Sequence, residues 1–249
     1  MLFNFLNIYA ALCFTFFYQF REKNIGIVCG IEHWTNFNNY TFNFLAVLLP
    51  FDYESNKTKE KYKSCFLKLR LKREYSPNEE KLIYNLKKKV PCTTGLKDNY
   101  DLFIWNDIYF SCFNCFEFAN INDRATFKGK TDFLVSIECN PDVDYFTNIA
   151  KATTRDLHSY ILQANYANYG GSSIYAPKKS NDIHPIQIRG GLNSTIITYE
   201  IDMKELKQFQ YTYNKLTYNP ENKAKFKALP PDFPDNKEDI ERIKPELWV

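Results

Sequence analysis

The densest chemistry in the chain lies in one short run, Ile108-Tyr109-Phe110-Ser111-Cys112-Phe113-Asn114-Cys115-Phe116-Glu117-Phe118. An apolar strand pattern ends in a cysteine, and a helical pattern begins a few residues later. A thiol at a strand end is partly exposed and close to backbone N–H groups, a setting that favours the thiolate and prepares it to attack an electrophilic carbon. Cysteine is also a small hydrophobe that fills cores without reacting, and the run alone leaves both readings open. The Cys112-x-x-Cys115 spacing invites a redox or zinc reading too. Zinc takes about four ligands, yet no second cysteine pair occurs, and the three histidines, His33, His158 and His184, lie far apart in sequence. In an extended strand, positions 112 and 115 face opposite sides. No metal and no cofactor is expected, and His158, beside Arg155 and Asp156, is expected to be structural.

A second group precedes this run. Lys72 ends an alternating apolar and basic stretch, Cys65-Phe66-Leu67-Lys68-Leu69-Arg70-Leu71-Lys72, and Tyr75-Ser76-Pro77-Asn78-Glu79-Glu80 comes just after it. Ser76 and Glu79 have capping-box spacing, with Pro77 at the first helical position. Glu79 reads as a charge that the helix dipole favours; Glu80 stays a functional candidate, and Glu117 reads as a helix-initiating acid. Between Lys57 and Arg73, basic residues interleave with Tyr62 and Phe66, a pattern that meets phosphates or simply stays solvated. With a net charge of +3 and an acidic stretch from Asp232 to Glu246, nucleic acid is not expected to bind this chain alone.

The elements that must position these groups alternate between strand and helix. Strands are expected at 25–32, at 40–49 with a stop at Pro50, and at 65–72 after a lysine-rich loop over 56–64. A helix is expected from Ser76 to about Lys89, then two strands, 100–104 and 108–113, joined by an Asn106-Asp107 turn. A short helix from about Asn120 and a strand over 133–137 come next. Apolar residues at helical spacing from Val143 to Leu157 predict an amphipathic helix over 143–158. Strands are then expected at 160–164, 172–176, 186–189 and 194–201, with Gly190-Gly191 between the last two, and a closing helix starts at Met203. This alternation is that of a layered α/β domain over 25–210. Residues 1–24 are expected to form an apolar N-terminal helix, and 211–249 a polar, proline-rich tail that wraps the surface or hangs free.

Composition bounds the classes. The chain has 249 residues, 45% hydrophobic and 24% charged, with 17% aromatics, which is globular rather than disordered or polytopic. Seven cysteines, four of them (Cys29, Cys65, Cys112, Cys139) in apolar strand-like runs, fit the reducing cytoplasm better than a disulfide scaffold. The apolar stretch from Leu2 to Phe20 lacks the preceding basic residues and the cleavage site of a signal peptide. A span takes about 20 residues, so a membrane anchor stays open, but a buried helix and no membrane contact are the expectation.

Lys72 after a strand, then Tyr75-Ser76-Pro77-Asn78-Glu79-Glu80, then Asn114-Cys115-Phe116-Glu117-Phe118 resemble the nitrilase (carbon–nitrogen hydrolase) superfamily. Arg155-Asp156-Leu157-His158 and Gln163-Ala164-Asn165 resemble the helix and strand after the nucleophile there, and the run Gly170 to Pro177 sits where that family has it. Gly30-Ile31-Glu32-His33 and Gly190-Gly191-Leu192-Asn193-Ser194-Thr195 bring the chain closer to the nitrilase-like domain fused behind bacterial defence-type reverse transcriptases. The resemblance implies an α-β-β-α sandwich, here N-terminally truncated, and a small amide or nitrile as substrate. It implies Cys115 as nucleophile, Lys72 with the backbone N–H of Phe116 as oxyanion donors, and Glu80 as an accessory acid. It also implies a homo-oligomer and an upstream reverse-transcriptase domain.

The family's general-base glutamate has no counterpart here. It falls in a Pro-Glu pair before the strand equivalent to 25–31, and residues 1–20 hold neither glutamate nor proline. Glu32 ends the neighbouring strand, and the resemblance does not support it as the base. Two readings therefore stand: a C–N hydrolase whose base is supplied upstream, and a non-catalytic nitrilase-like module for oligomerisation or partner binding.

Overall fold

The computed structural model describes residues 23–92, 100–191, 196–214, 225–234 and 237–244, without the side chains of Glu32, Asn214 and residues 237–239. The apolar stretch 2–20 and the residues from Leu192 to Thr195 lie outside the described residues. The chain divides into two units, Met1–Lys97 and Asp98–Val249.

In the first unit, runs rich in β-branched and aromatic residues form an antiparallel sheet in the order β1 (Ile27–Thr35), β2 (Thr41–Glu54), β3 (Lys61–Leu71). The apolar run of the central strand, Leu45 to Leu49, is buried throughout. Pro50 does not stop β2. Because β1 begins at Ile27, opposite Leu48, Pro50 faces only Cys65 of β3, the edge setting in which a strand tolerates proline. The expected lysine-rich loop shrinks accordingly: Lys61 and Lys63 join β3 opposite Glu54 and Asp52. Between Ile31 and Trp34 the β1–β2 register shifts, so that Glu32 and His33 together oppose Asn43. This β-bulge holds His33 in the left-handed region, at φ 59°, and bends the strand.

Helix α1 (Pro77–Asn85) starts on the expected capping box, Glu79 N–H donating to Ser76 Oγ at 3.2 Å. It ends four residues before Lys89 because Lys87 turns to φ 56°.

The second unit is a six-stranded mixed sheet in the order β4 (Phe103–Trp105), β5 (Ile108–Asn114), β6 (Phe133–Glu138), β7 (Tyr160–Asn165), β8 (Gly170–Tyr175), β9 (Ile186–Arg189). Strands β5, β6 and β7 run parallel and the others antiparallel. Asn106 (φ 50°) and Asp107 (φ 59°) make the β4–β5 turn, two left-handed residues as the twist of a hairpin favours. At the β8–β9 bulge, a Cβ on Gly170 would lie 2.0 Å from Gly190 N, so the strands approach there only without side chains. The expected strand over 194–201 does not form: residues 196–202 carry no regular structure.

Among the described residues this unit also carries the helices α2 (Ile121–Ala125), α3 (Val143–Leu157), α4 (Met203–Asn214) and α5 (Lys237–Arg242). Helix α3 buries Phe146, Ala150 and Leu157 in a core with Phe113, Phe118, Leu134, Ile161 and Tyr175. Its apolar stripe is the one the 3.6-residue period predicts. The described parts of the tail contribute to the interior, Phe226 and Ile243 being buried. Lys207 and Arg242 converge on buried Asp132. The chain is an α/β protein, as its alternating pattern predicts. Among the described residues no helix is long and apolar enough to cross a membrane.

Candidate active site

Strand β5 delivers Cys115. Its last residue is Asn114, and a 3-10 turn, Cys115–Ala119, follows at once. Cys115 takes φ 53°, a left-handed conformation that costs an ordinary residue on the order of 1–3 kcal/mol. Every other described non-glycine residue with positive φ is Asn, Asp, His or Lys, types that mark turns and caps. Cys115 puts a thiol there, on a strand-to-turn corner of the kind that presents a side chain at the carboxyl end of parallel strands. The corner is held from below. Asn114 N–H donates to Glu117 Oε2 at 2.7 Å, Glu117 is fully buried, and Phe113 and Phe118 anchor both sides in the core, with half-buried Cys115 packed against it. Phe116, the oxyanion candidate, is half-buried on the same turn. Cys112 is buried within β5 and Cys139 lies exposed just past β6, so Cys139 is no strand residue. No three His, Cys, Asp or Glu side chains gather to hold a metal among the described residues.

The carboxyl end of β6 carries a group with no sequence forewarning. Glu138, one step beyond the Asn114–Ile137 register pair, is buried. Ser136 Oγ donates to its Oε1 at 2.6 Å and Gln163 Nε2 to its Oε2 at 2.8 Å, while Tyr175 O–H donates to Gln163 Oε1 at 2.7 Å. Burial pushes its carboxyl up to about 7, and the hydrogen bonds from Ser136 and Gln163 hold it back from rising further.

The first unit holds Lys72, 3% exposed, at the end of β3. A buried ammonium needs a partner, and it has one: Glu79 Oε2, at 2.5 Å. The Glu79 carboxylate also accepts from Ser76 N–H at 3.4 Å and, through Oε1, from Asn43 Nδ2. The ring of Tyr75 lies under the ammonium, 5.4 Å from its centroid. Glu80 is exposed. Glu79, expected only as a charge for the helix dipole, pairs with Lys72. Asn43 is not among the expected site residues, though an asparagine amid the apolar run Tyr40 to Leu49 is a visible signal of a buried polar role. Glu32 lies in the bulge, its side chain outside the described residues.

His158 closes α3 as a left-handed cap at φ 54°. Its ring stacks on Phe209 at 5.5 Å, with Nε2–H donating to Lys227 C=O at 2.8 Å. Burial pulls its pKa down to about 4, against the bond to Lys227, so it is a neutral, structural imidazole.

No protein-family profile and no curated protein sequence matches the chain. Solved structures of similar shape include amidases of Nesterenkonia sp. AN1. One is a cysteine-to-alanine variant of the nitrilase-superfamily amidase, with TM-score 0.43 and 11% identity over 63% of this chain and 55% of that one. The NitN amidase gives TM-score 0.42 and 12% identity over 63% and 57%. A variant in complex with butyramide gives 0.41 and 11% over 63% and 56%. The chain spans little more than half the length of these amidases.

Proposed function

We propose that the chain is a nitrilase-like C–N hydrolase domain acting on small amides or nitriles through a cysteine nucleophile, within an α-β-β-α sandwich. The observation that carries this reading is the left-handed Cys115 at the end of β5. Backbone strain at a nucleophile is retained where presentation of that group matters. The buried, acid-paired Lys72 supports it, because a preorganised ammonium stabilises charge developing on a carbonyl oxygen.

In this scheme the Cys115 thiol gives its proton to a carboxylate base, and the sulfur bonds to the amide carbon. The carbonyl oxygen takes the negative charge at the Phe116 N–H, and Lys72 is the ammonium to which the family resemblance gives the same oxyanion role. The C–N bond breaks as the nitrogen takes back the proton, and ammonia leaves a thioester. Water attacks that thioester, the base takes its proton, and the C–S bond breaks to release the acid and restore the thiol. Of the two neighbouring acids, the accessory role that the family resemblance gives Glu80 suits Glu79 better, since Glu79 holds the ammonium.

The amidase neighbours include one with the acetamide moiety of fluoroacetamide on its active-site cysteine, and fluoroacetamide is the probe of choice here. The expected result is a single adduct at Cys115, absent in Cys115→Ser, in peptide mass spectrometry of the full chain. Adducts spread over exposed Cys92 and Cys139, or none, would contradict the reading. We read the domain further as a cytoplasmic module of a bacterial reverse-transcriptase-associated defence protein, on the motifs Gly30-Ile31-Glu32-His33 and Gly190-Gly191-Leu192-Asn193. The coding DNA on either side of the segment tests this directly: a polymerase segment in frame supports it, and an unrelated flank opposes it.

A further inference from the structure

The strand bulge, the end of β3, the start of α1 and the Lys72–Glu79 pair all meet at one side chain that the proposed chemistry does not use. We propose that Asn43 is a positioning residue that fixes the Glu79 carboxylate, and through it the Lys72 ammonium; the proposal rests on Lys72 serving the acyl-transfer reaction.

Asn43 is 2% exposed, and each of its four polar groups has a partner. The β-bulge lifts His33 out of the regular ladder, and the His33 N–H donates to Asn43 Oδ1 at 2.9 Å. That bond fixes which end of the amide is oxygen, so Nδ2 faces Glu79 Oε1 as a donor. The Asn43 backbone is held as well: its N–H donates to Tyr75 Oη at 3.1 Å, and its C=O accepts from Lys72 N–H at 2.8 Å. One residue therefore takes the backbone of Lys72 at one end and the acid partner of Lys72 at the other. With Asn43 on Oε1 and both Lys72 and the Ser76 N–H on Oε2, the carboxylate has no free rotation to carry the ammonium away. Without the Asn43 donor, Oε1 is left in a partly buried setting without that bond, which favours rotation of the carboxylate.

Asn43→Asp separates positioning from architecture. It preserves shape and an oxygen for His33 N–H, and it turns the donor facing Glu79 into an acceptor. Two carboxyls in contact cannot both ionise freely, so one is pushed up. Two readouts on the full chain tell the roles apart. The first is the 15N signal of the Lys72 ammonium, assigned by its loss in Lys72→Arg. The second is hydrolysis of butyramide. In Asn43→Asp the signal shifts and gains an inflection between about pH 5 and 8. The kcat falls roughly 10- to 100-fold, with KM within about twofold. If Asn43→Asp does not fold, Asn43→Ser, which keeps an oxygen and no donor that reaches Glu79, takes its place and shifts the same signal.

A folded variant whose Lys72 signal and pH profile match the parent overturns the proposal, leaving Asn43 as a strand residue only. A shifted signal in a protein that hydrolyses no amide supports the positioning and removes the catalytic reading instead.

Discussion

Two of the buried charge sets among the described residues are built to different ends. In the second unit Asp132 is fully buried under two cations, Lys207 and Arg242, each 5% exposed or less. Arg242 lies 110 residues along the chain. Asp132 also accepts from Tyr109 N–H at 2.8 Å, so one carboxylate ties β5, the start of β6, α4 and α5. In the first unit Lys72 and Glu79 lie seven residues apart, one cation to one acid, and the Glu79 side chain keeps 15% of its exposure. The first arrangement closes a topology. The second holds a single ammonium in place on a local scaffold of Asn43, Ser76 and Tyr75, with its acid still reachable. The contrast separates a charge cluster that specifies a fold from one suited to chemistry.

Breaking the structural cluster should cost the most. Asp132→Ala leaves two cations buried without their acid, and a destabilisation of about 3–5 kcal/mol is expected, measured by urea unfolding of the full chain. Lys72→Met removes the other cluster's cation and should act on hydrolysis rather than on stability. The melting temperature stays close to the parent's, and amide hydrolysis falls roughly 100–1,000-fold. Equal loss of stability in both variants would erase the contrast.

A subtler test uses pH. Glu138, raised to about 7 from an ordinary value of 4.5, contributes stability that is full below pH 4.5 and is lost as pH rises through about 7. His158, lowered to about 4 from 6.5, contributes stability that is full above pH 6.5 and is lost as pH falls through about 4. The two slopes oppose each other between about pH 4.5 and 6.5. Glu138→Gln should unmask stability that rises with pH there, and His158→Asn stability that falls, both read from urea midpoints across that range. The smallest effect is expected at the helix cap. Ser76→Ala removes the bond to Glu79 N–H and should cost about 1 kcal/mol, with a modest loss of hydrolysis because the cap also seats Glu79.

Much of this is legible in the sequence. The apolar run ending at Asn114-Cys115, the Ser76–Glu79 capping box and the stripe of α3 are local patterns, and local patterns survive into structure. The features that stay hidden depend on register and facing. Glu79 and Glu80 are neighbours in sequence, yet successive helical residues point about 100° apart. The capping box turns Glu79 back toward the helix start, where Lys72 follows β3, and leaves Glu80 outside. Pro50 looks like a strand stop because the pattern does not say where β1 begins. The importance of Asn43 comes from a bulge in a different strand. The tail's polar, proline-rich average hides Phe226 and Ile243, whose burial depends on a surface that the other elements build.

The proposed chemistry turns on Cys115 as the reactive thiol. It is only half-buried, while Cys92 and Cys139 are exposed, so accessibility and activation predict opposite orders of modification. Limiting iodoacetamide at neutral pH, with labelled peptides quantified over time, tests it most directly. Cys115 should be alkylated at least about tenfold faster than either exposed cysteine, as an activated thiolate would be. If Cys92 and Cys139 react first and Cys115 lags in line with its exposure, Cys115 is a packing residue and the catalytic account is wrong.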